Sequence, residues 1–177
     1  AYHPKVNVLA LTASATPEVE KDILEKLQLK KPATFHQSFA RKNLSYSVRL
    51  VENKLEKGLE ILKRISGSAI WYVRTRQATQ QLAKQLQQLG FSAAAYHAGM
   101  TASDRSAKQE AWKANQVRIM VSTNAFGMGI DKPDVRFVFH TDLPGSVEAY
   151  YQEIGRAGRD GEPADAMMVF DPGDIRL

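Results

Sequence analysis

The residues best suited to chemistry lie near the end of the chain, where arginines alternate with glycines. Residues 152–161 read Gln-Glu-Ile-Gly-Arg-Ala-Gly-Arg-Asp-Gly. Arg156 and Arg159 are three residues apart, so on a helical turn they project from one side and can grip one phosphate group together. The glycines allow a backbone to approach an anion closely. The alternative is a flexible glycine-rich turn with two solvated arginines, and the spacing leaves both interpretations open.

A second group of polar side chains lies within residues 121–133, where a predicted strand ends. Ser122, Thr123 and Asn124 supply hydroxyl and amide groups that suit phosphate or sugar oxygens and do not distinguish bases. A pair of glycines follows, and then Asp131, which can accept a hydrogen bond from a ribose hydroxyl or hold an arginine. The alternative is a capping cluster that opens a half-turn, with the neighbouring phenylalanine and methionine packed in the core.

Three shorter segments are weaker candidates. Thr75 and Arg76 follow a buried strand, and a basic residue at a helix start is unfavourable unless an anion lies nearby. His97 precedes Ala-Gly in a turn and can donate to a phosphate, although a lone histidine in a turn is more often structural. Alternating hydroxyls follow another predicted strand at Thr12, Ser14 and Thr16. Capping of the next helix explains at least one of these hydroxyls.

The groups that the chain lacks narrow the possible chemistry. Its 177 residues contain no cysteine, which excludes disulfides, thiolate metal sites and thiol nucleophiles. The sequence has no Gly-x-x-x-x-Gly-Lys-Ser/Thr loop, no dinucleotide fingerprint and no adjacent carboxylates for Mg²⁺, so we expect no metal site. The formal charge of +5 permits binding to a polyanion without requiring it. Arginines directed at phosphate without a phosphate-binding loop predict one half of a composite site.

An α/β framework must position these residues, because short apolar runs alternate with segments of helical spacing. Strands are predicted over residues 6–11, 46–51, 69–73, 93–96, 117–121, 135–139 and 166–170. Helices are predicted from Pro17 and over residues 54–65, 76–89, 102–114 and 147–154. This order predicts a mostly parallel sheet with helices on both faces. Ligands of such sheets bind at the carboxyl ends of the strands, so the loops there are the candidate sites.

In this order the segments resemble the motifs of the RecQ family of ATP-dependent DNA helicases, specifically the second RecA-like motor domain. The resemblance covers motif III (11–16), motif IV (69–76), the segment between motifs IV and V (96–99), motif V (122–133) and motif VI (151–161). Five motifs in the family's order are far more specific than any one alone. Two positions depart from the pattern: Ser14 stands where threonine is commoner, and Thr75 lies in a motif IV whose residues before Arg76 differ from the usual cysteine and serine.

The resemblance implies that ATP binds in a cleft between two RecA-like domains, of which this chain supplies one. Arg159 would be the arginine finger and Arg156 the second phosphate contact. Gly129 and Asp131 would face the ribose and phosphates, and Gln152 would link the nucleotide to the finger. The backbone of single-stranded DNA would be held by Thr75, Arg76, His97, Ser122, Thr123 and Asn124. The two sites would be coupled through Thr12, Ser14 and Thr16.

The resemblance also predicts the domain limits and partners. Residues 1–36 would be the end of the first RecA-like motor domain and residues 37–177 the second. ATP and Mg²⁺ would be bound mainly by the first domain, and zinc only by a downstream module. We therefore expect an intracellular, cytoplasmic and nucleoid-associated 3′–5′ helicase of repair and recombination, acting on single-stranded and duplex DNA. The chain alone would be inactive.

Three other functions stay open at this point. An RNA helicase is the nearest alternative, since contacts to phosphate distinguish the two sugars poorly. A non-catalytic nucleic-acid-binding module would keep the same surface without hydrolysing ATP. An unrelated α/β binding protein would have to carry all five motifs in this order by chance.

Overall fold

The chain divides into two compact units, Ala1–Ala40 and Arg41–Leu177. The computed structural model describes residues 7–12, 16–29, 31–36, 38, 40–127 and 130–174. The assignment of residues 1–36 to one motor domain and of residues 37–177 to another stays a prediction. In the part of the chain that the structure describes, no helix is both long and apolar enough to cross a membrane.

The first unit contains helix α1 (Pro17–Lys26). Thr16 is its N-cap, and the Thr16 hydroxyl accepts a hydrogen bond from the backbone N–H of Val19 at 3.3 Å. Pro17 occupies the first turn, where a missing N–H does no harm. The predicted cap and helix start are therefore confirmed. None of the residues of α1 is buried.

The strand predicted over residues 6–11 is wrong for the residues that can be described. Residues 7–12 form no regular structure, and Leu9 and Leu11 are 80% and 83% exposed. A strand needs a neighbour to bind its N–H and C=O groups, and isolated extended segments are not stable in water. The described residues of the first unit contain no strand with which this apolar run could pair.

The second unit is built on a parallel sheet of six strands in the order β1-β6-β5-β2-β4-β3. The strands are β1 (Leu44–Leu50), β2 (Ser68–Tyr72), β3 (Ala93–Tyr96), β4 (Ile119–Ser122), β5 (Val135–His140) and β6 (Ala164–Phe170). All neighbouring strands run parallel. The predicted α/β class is confirmed, and the strand limits lie within two residues of those expected.

Four further helices connect the strands, and each starts at a side chain that caps it. They are α2 (Lys54–Arg64), α3 (Arg76–Gln88), α4 (Ala102–Lys113) and α5 (Val147–Ile154), followed by a 3₁₀ turn over Pro172–Asp174. The capping oxygens belong to Asn53, Thr75, Thr101 and Ser146. Such caps satisfy N–H groups that a helix leaves unpaired, which explains why the helix starts were predictable.

Helices cover both faces of the sheet, and each face has its own apolar core. On one face α4 and α5 pack through Trp112 and Ile154 against residues such as Met120. On the other face α2 and α3 pack against Trp71 and Phe139. The strands in the middle are buried on both sides, which is why they appear as continuous apolar runs in the sequence.

Candidate functional site

The arginine–glycine loop, residues 155–161, lies at the amino end of β5. Helix α5 ends at Ile154, so neither arginine lies on a helix. The N–H of Gly158 donates to the carbonyl of Val135 at 2.8 Å, and the N–H of Asp160 donates to Pro133 at 3.2 Å. This loop follows a helix, as the sequence predicted, and its backbone is held by hydrogen bonds to residues at the start of β5.

Gly158 is needed for this geometry. Its φ is +58°, and an added Cβ would lie 2.7 Å from the amide nitrogen of Asn43 and 2.8 Å from the carbonyl of Glu162. A side chain would therefore be both strained and in collision.

Two residues that precede β1 hold the loop from outside. Arg41 donates to the carbonyl of Gly155 at 3.2 Å and also to the carbonyl of Gly158. The Asn43 amide donates to Gly158 at 2.7 Å and to Glu162 at 2.8 Å. The sequence analysis missed this support, since the partners are more than a hundred residues apart and no local pattern joins them.

Arg156 is partly buried and serves as a tether to the motif V segment, residues 122–133. Its Nη1 donates to the carbonyl of Gly127 at 2.6 Å. The Tyr72 hydroxyl donates to the preceding carbonyl, that of Phe126, at 2.9 Å. Burial raises the pKa of Tyr72, which keeps its hydroxyl a proton donor. Two successive carbonyls of the segment are thus held by side chains from two different elements.

Arg159 is the more accessible of the two arginines. Its Nη1 contacts Asp131 Oδ1 at 3.1 Å and the carbonyl of Ile130 at 3.4 Å. The side chain of Asp131 is 82% exposed and that of Arg159 is 37% exposed. An exposed ion pair of this kind contributes only about 0.2–1 kcal/mol. The guanidinium of Arg159 is therefore held loosely enough to exchange its carboxylate partner for another anion.

Both arginines contact the motif V segment, and a buried lysine fixes that segment behind Asp131. Lys132 is 5% exposed, and its Nζ contacts Asn115 Oδ1 at 2.9 Å and Asp134 Oδ1 at 2.8 Å. It also lies 5.5 Å from the ring centre of Trp112. Sequence reasoning missed this role, because a lysine beside an aspartate is normally a solvated residue.

The structure gives little information on Gly129 and Gln152, which the resemblance assigns to the nucleotide. Gly129 lies outside the described residues. Gln152 lies exposed on α5. Both remain predictions.

The strand-end surface is formed where β2, β3 and β4 end side by side. Thr75 caps α3, with its hydroxyl accepting from the N–H of Ala78 at 3.1 Å. Arg76 is exposed and lies against Gly99, where an added Cβ would come within 2.9 Å of its Nη1. The structure thus brings the end of motif IV and the turn after β3 together.

The hydroxyl of Ser122 is not part of this surface. Ser122 is fully buried, and its Oγ lies 2.9 Å from the carbonyl of Tyr96 and 2.7 Å from that of Thr123. A hydroxyl can donate one hydrogen bond, and here backbone carbonyl oxygens accept it. The placement of Ser122 against DNA is corrected on this ground: its hydroxyl ties β4 to β3.

The other predicted contacts of the strand-end surface differ in exposure. Thr123 is 9% exposed, and its hydroxyl accepts from the N–H of Ala125 at 3.3 Å. Asn124 is exposed. His97 is 7% exposed, with Nε2 at 3.1 Å from the amide nitrogen of Gln80. Its Nδ1 has no partner within the described part of the chain, so it keeps hydrogen-bonding capacity.

The residues assigned to coupling belong to the first unit. Thr16 caps α1. Thr12 lies in the irregular segment 7–12, and Ser14 lies outside the described residues. Their role between the two sites stays a prediction.

The described residues do not offer a metal site. Within them, no group of three or more His, Asp or Glu side chains is placed to hold a metal ion.

The comparisons with known proteins agree with the motifs. The helicase conserved C-terminal domain family matches residues 52–161, and the chain belongs to this family. The chain is 42% identical over 181 residues to the ATP-dependent helicase SGS1 of Saccharomyces cerevisiae, covering 98% of this chain and 12% of that protein. It is 43% identical over 175 residues to the ATP-dependent DNA helicase RecQ of Pasteurella multocida, covering 97% of this chain and 27% of that protein.

These relatives make the domain one of the RecQ type, as the sequence resemblance predicted. A solved DEAD box protein from the hyperthermophile Methanococcus jannaschii has the same fold, with a TM-score of 0.70 and 25% identity. That match covers 90% of this chain and 44% of the solved chain. The chain thus spans about an eighth to a quarter of the two curated relatives named above.

Proposed function

We propose that this chain is the second motor domain of an ATP-dependent DNA helicase. The observation that carries the proposal is the pair of arginines on one short loop, of which Arg156 fixes the loop and Arg159 stays accessible. The whole protein would unwind DNA in the 3′–5′ direction within the cell, in repair and recombination. The first RecA-like domain is its partner in the proposed composite site, and the chain alone would not hydrolyse ATP.

Arg159 would act as the arginine finger. When ATP enters the cleft, its guanidinium would leave Asp131 and bind the terminal phosphate, where negative charge develops during transfer. The exchange loses only a weak exposed ion pair, whereas an arginine finger accelerates phosphoryl transfer by about 10³–10⁵. The released Asp131 carboxylate would then be available to the ribose hydroxyls. Mg²⁺ would be held mainly by the first domain, as the family resemblance implies, and would neutralise charge on the phosphates.

The strand-end surface would hold the DNA backbone. Arg76 is exposed at the start of α3, where the helix N-terminus favours an anion. Asn124 is exposed on the neighbouring loop and can donate through its amide. His97 stays a proposed contact of this surface, with 7% of the residue exposed and its unpartnered ring nitrogen buried in the described structure. These groups contact phosphate without reading bases, so binding would be insensitive to sequence and sensitive to salt.

The test is ATP turnover by the whole protein with and without single-stranded DNA, in wild-type and Arg159→Ala forms. We expect DNA-stimulated turnover to fall by about 10³-fold or more in the variant, because transition-state charge loses its partner. Arg64→Ala is the matched control: Arg64 also forms an exposed ion pair at 3.1 Å, with Glu60, away from both sites. Turnover near the wild-type level in Arg159→Ala would contradict the assignment.

Two other candidate functions give different results in the same assay. Stimulation by RNA and not by DNA would identify an RNA helicase, since contacts to phosphate distinguish the two sugars poorly. DNA binding without turnover in the wild-type protein would identify a non-catalytic module.

A further inference from the structure

A buried pair of titratable side chains joins β5 to α5, outside the contacts assigned above. His140 ends β5, and its Nε2 lies 2.7 Å from Oε2 of Glu153, in the last turn of α5. His140 is 1% exposed and Glu153 is 9% exposed. A carboxylate is rarely buried without a function or a partner, because its removal from water is costly.

The pair belongs to a closed series of contacts around the base of the arginine–glycine loop. The His140 ring stacks on Tyr72 at 4.9 Å, and the Tyr72 hydroxyl holds the carbonyl of Phe126. The next carbonyl, Gly127, accepts from Arg156. The series therefore runs from α5 through β5 and β2 to the motif V segment, and returns to the loop.

The series closes at the backbone of Glu153. Its carbonyl accepts from the N–H of Arg156 at 3.3 Å, in the turn where the helix ends. Fixing the Glu153 side chain against β5 therefore fixes the rotation of this turn, from which both arginines depart. Gly155, which directly precedes Arg156, offers no side chain that packing could hold.

We propose that Glu153 and His140 are positioning residues for the two arginines, with Tyr72 holding the motif V segment in the same frame. The inference rests on the proposed function, since it concerns the arginines of that same site. The hydrogen bond between carboxylate and imidazole, rather than the volume of the side chains, sets the direction of the loop. Neither residue contacts the nucleotide or the DNA.

The experiment compares Glu153→Gln with Glu153→Met in the whole protein. Glutamine keeps an oxygen that accepts from His140, whereas methionine keeps the size and helix propensity and removes the acceptor. We expect Glu153→Met to lower the kcat of DNA-stimulated ATP turnover by about 10- to 100-fold, because small displacements of a reacting group have effects of that size. The KM for ATP and the affinity for DNA should stay within about threefold. Glu153→Gln should keep most of the turnover.

Two further variants complete the design. Glu148→Met changes an exposed glutamate of the same helix and should turn over like the wild type. Tyr72→Phe removes only the hydroxyl that holds Phe126, and we expect a smaller loss of kcat, of about 3- to 10-fold, since one hydrogen bond contributes about 1 kcal/mol. Circular dichroism of each variant checks whether it is folded.

Several outcomes would overturn the inference. Wild-type turnover in Glu153→Met would show that only volume matters, and an equal loss in Glu153→Gln would show that the hydrogen bond does not suffice. A loss confined to DNA affinity would place the effect at the wrong site. If Glu153→Met does not fold, an unchanged kcat in Tyr72→Phe would contradict the proposal. No turnover in the wild type would instead overturn the proposed function, and this inference with it.

Discussion

The arginine–glycine loop and the strand-end surface differ in which groups form the internal hydrogen bonds. In the loop the backbone is fixed by Arg41, Asn43 and the start of β5, while the side chain of Arg159 remains accessible. At the strand ends the side chains themselves form the internal contacts, as the caps and carbonyl bonds of Thr75 and Ser122 show.

Polar residues of one motif therefore differ in whether their side chains are accessible to a ligand or are bonded within the fold. A side chain that completes the fold is a poor ligand, because its hydrogen bond is already made. We therefore expect substitutions of the accessible Arg159 to act on turnover, substitutions that disturb the loop backbone to act on stability, and those at the strand ends to divide between stability and DNA binding.

The largest change in stability is expected where a substitution disturbs the loop backbone. Gly158→Ala places a Cβ within 3 Å of three atoms at a φ of +58°, and we expect it to destabilise the chain by about 2–4 kcal/mol. Gly161→Ala is the matched control, since its φ is also positive, at +88°, but its surroundings are open. It should lower the free energy of unfolding by only about 1–2 kcal/mol. Urea unfolding of the chain measures both, and equal effects would disprove the close packing of Gly158.

Two substitutions at the strand ends separate residues that bind DNA from residues that stabilise the fold. Arg76→Ala should weaken DNA binding of the whole protein by about 1 kcal/mol and reduce the salt slope by about one, similarly for all sequences. Ser122→Ala should leave DNA affinity unchanged and affect stability instead, since its hydroxyl is buried. Fluorescence anisotropy titrations at several salt concentrations measure both variants. A sequence-selective loss in Arg76→Ala would contradict a contact to phosphate.

The smallest expected effect concerns pH at the edge of the loop. A hydrogen bond from Arg136 lowers the pKa of Asp160 below its usual value of 3.8. A lowered pKa in the folded state means that the stabilisation is present above the unfolded pKa and is lost as the pH falls below it. Asp160→Asn should therefore lower thermal stability slightly at pH 7, and the difference from the wild type should disappear as the pH falls below about 4, where the wild type loses the same stabilisation. An unchanged acid profile would show that the pair contributes nothing.

Most of the fold was predictable because it is encoded locally. The caps at Thr75 and Thr16, and the buried apolar strands such as β2, fixed element limits within two residues. The strand over 6–11 failed because a strand depends on a neighbour that local sequence does not reveal.

The site was less predictable than the fold. The order of the motifs identified the two arginines. The residues that hold them in place contact them from positions far away in the sequence. Arg41, Lys132 and the pair of His140 and Glu153 were missed for this reason. Residue type alone also misplaced Ser122, since a serine at a strand end has the same sequence signature whether its hydroxyl faces out or in.

The strand order of the sheet has a consequence for synthesis. Within the described part of the chain, β1 pairs with β6 alone, so the ladder between them cannot form until Ala164, the partner of Leu44, has been synthesised. At about 5–20 residues per second, the ribosome needs roughly 6–24 s to make the intervening 120 residues. During that interval β1 carries Tyr46, Val48 and Leu50 without a partner strand, and these side chains are about half exposed even after folding. The nascent chain thus carries an apolar segment that a chaperone can bind until the last strand emerges.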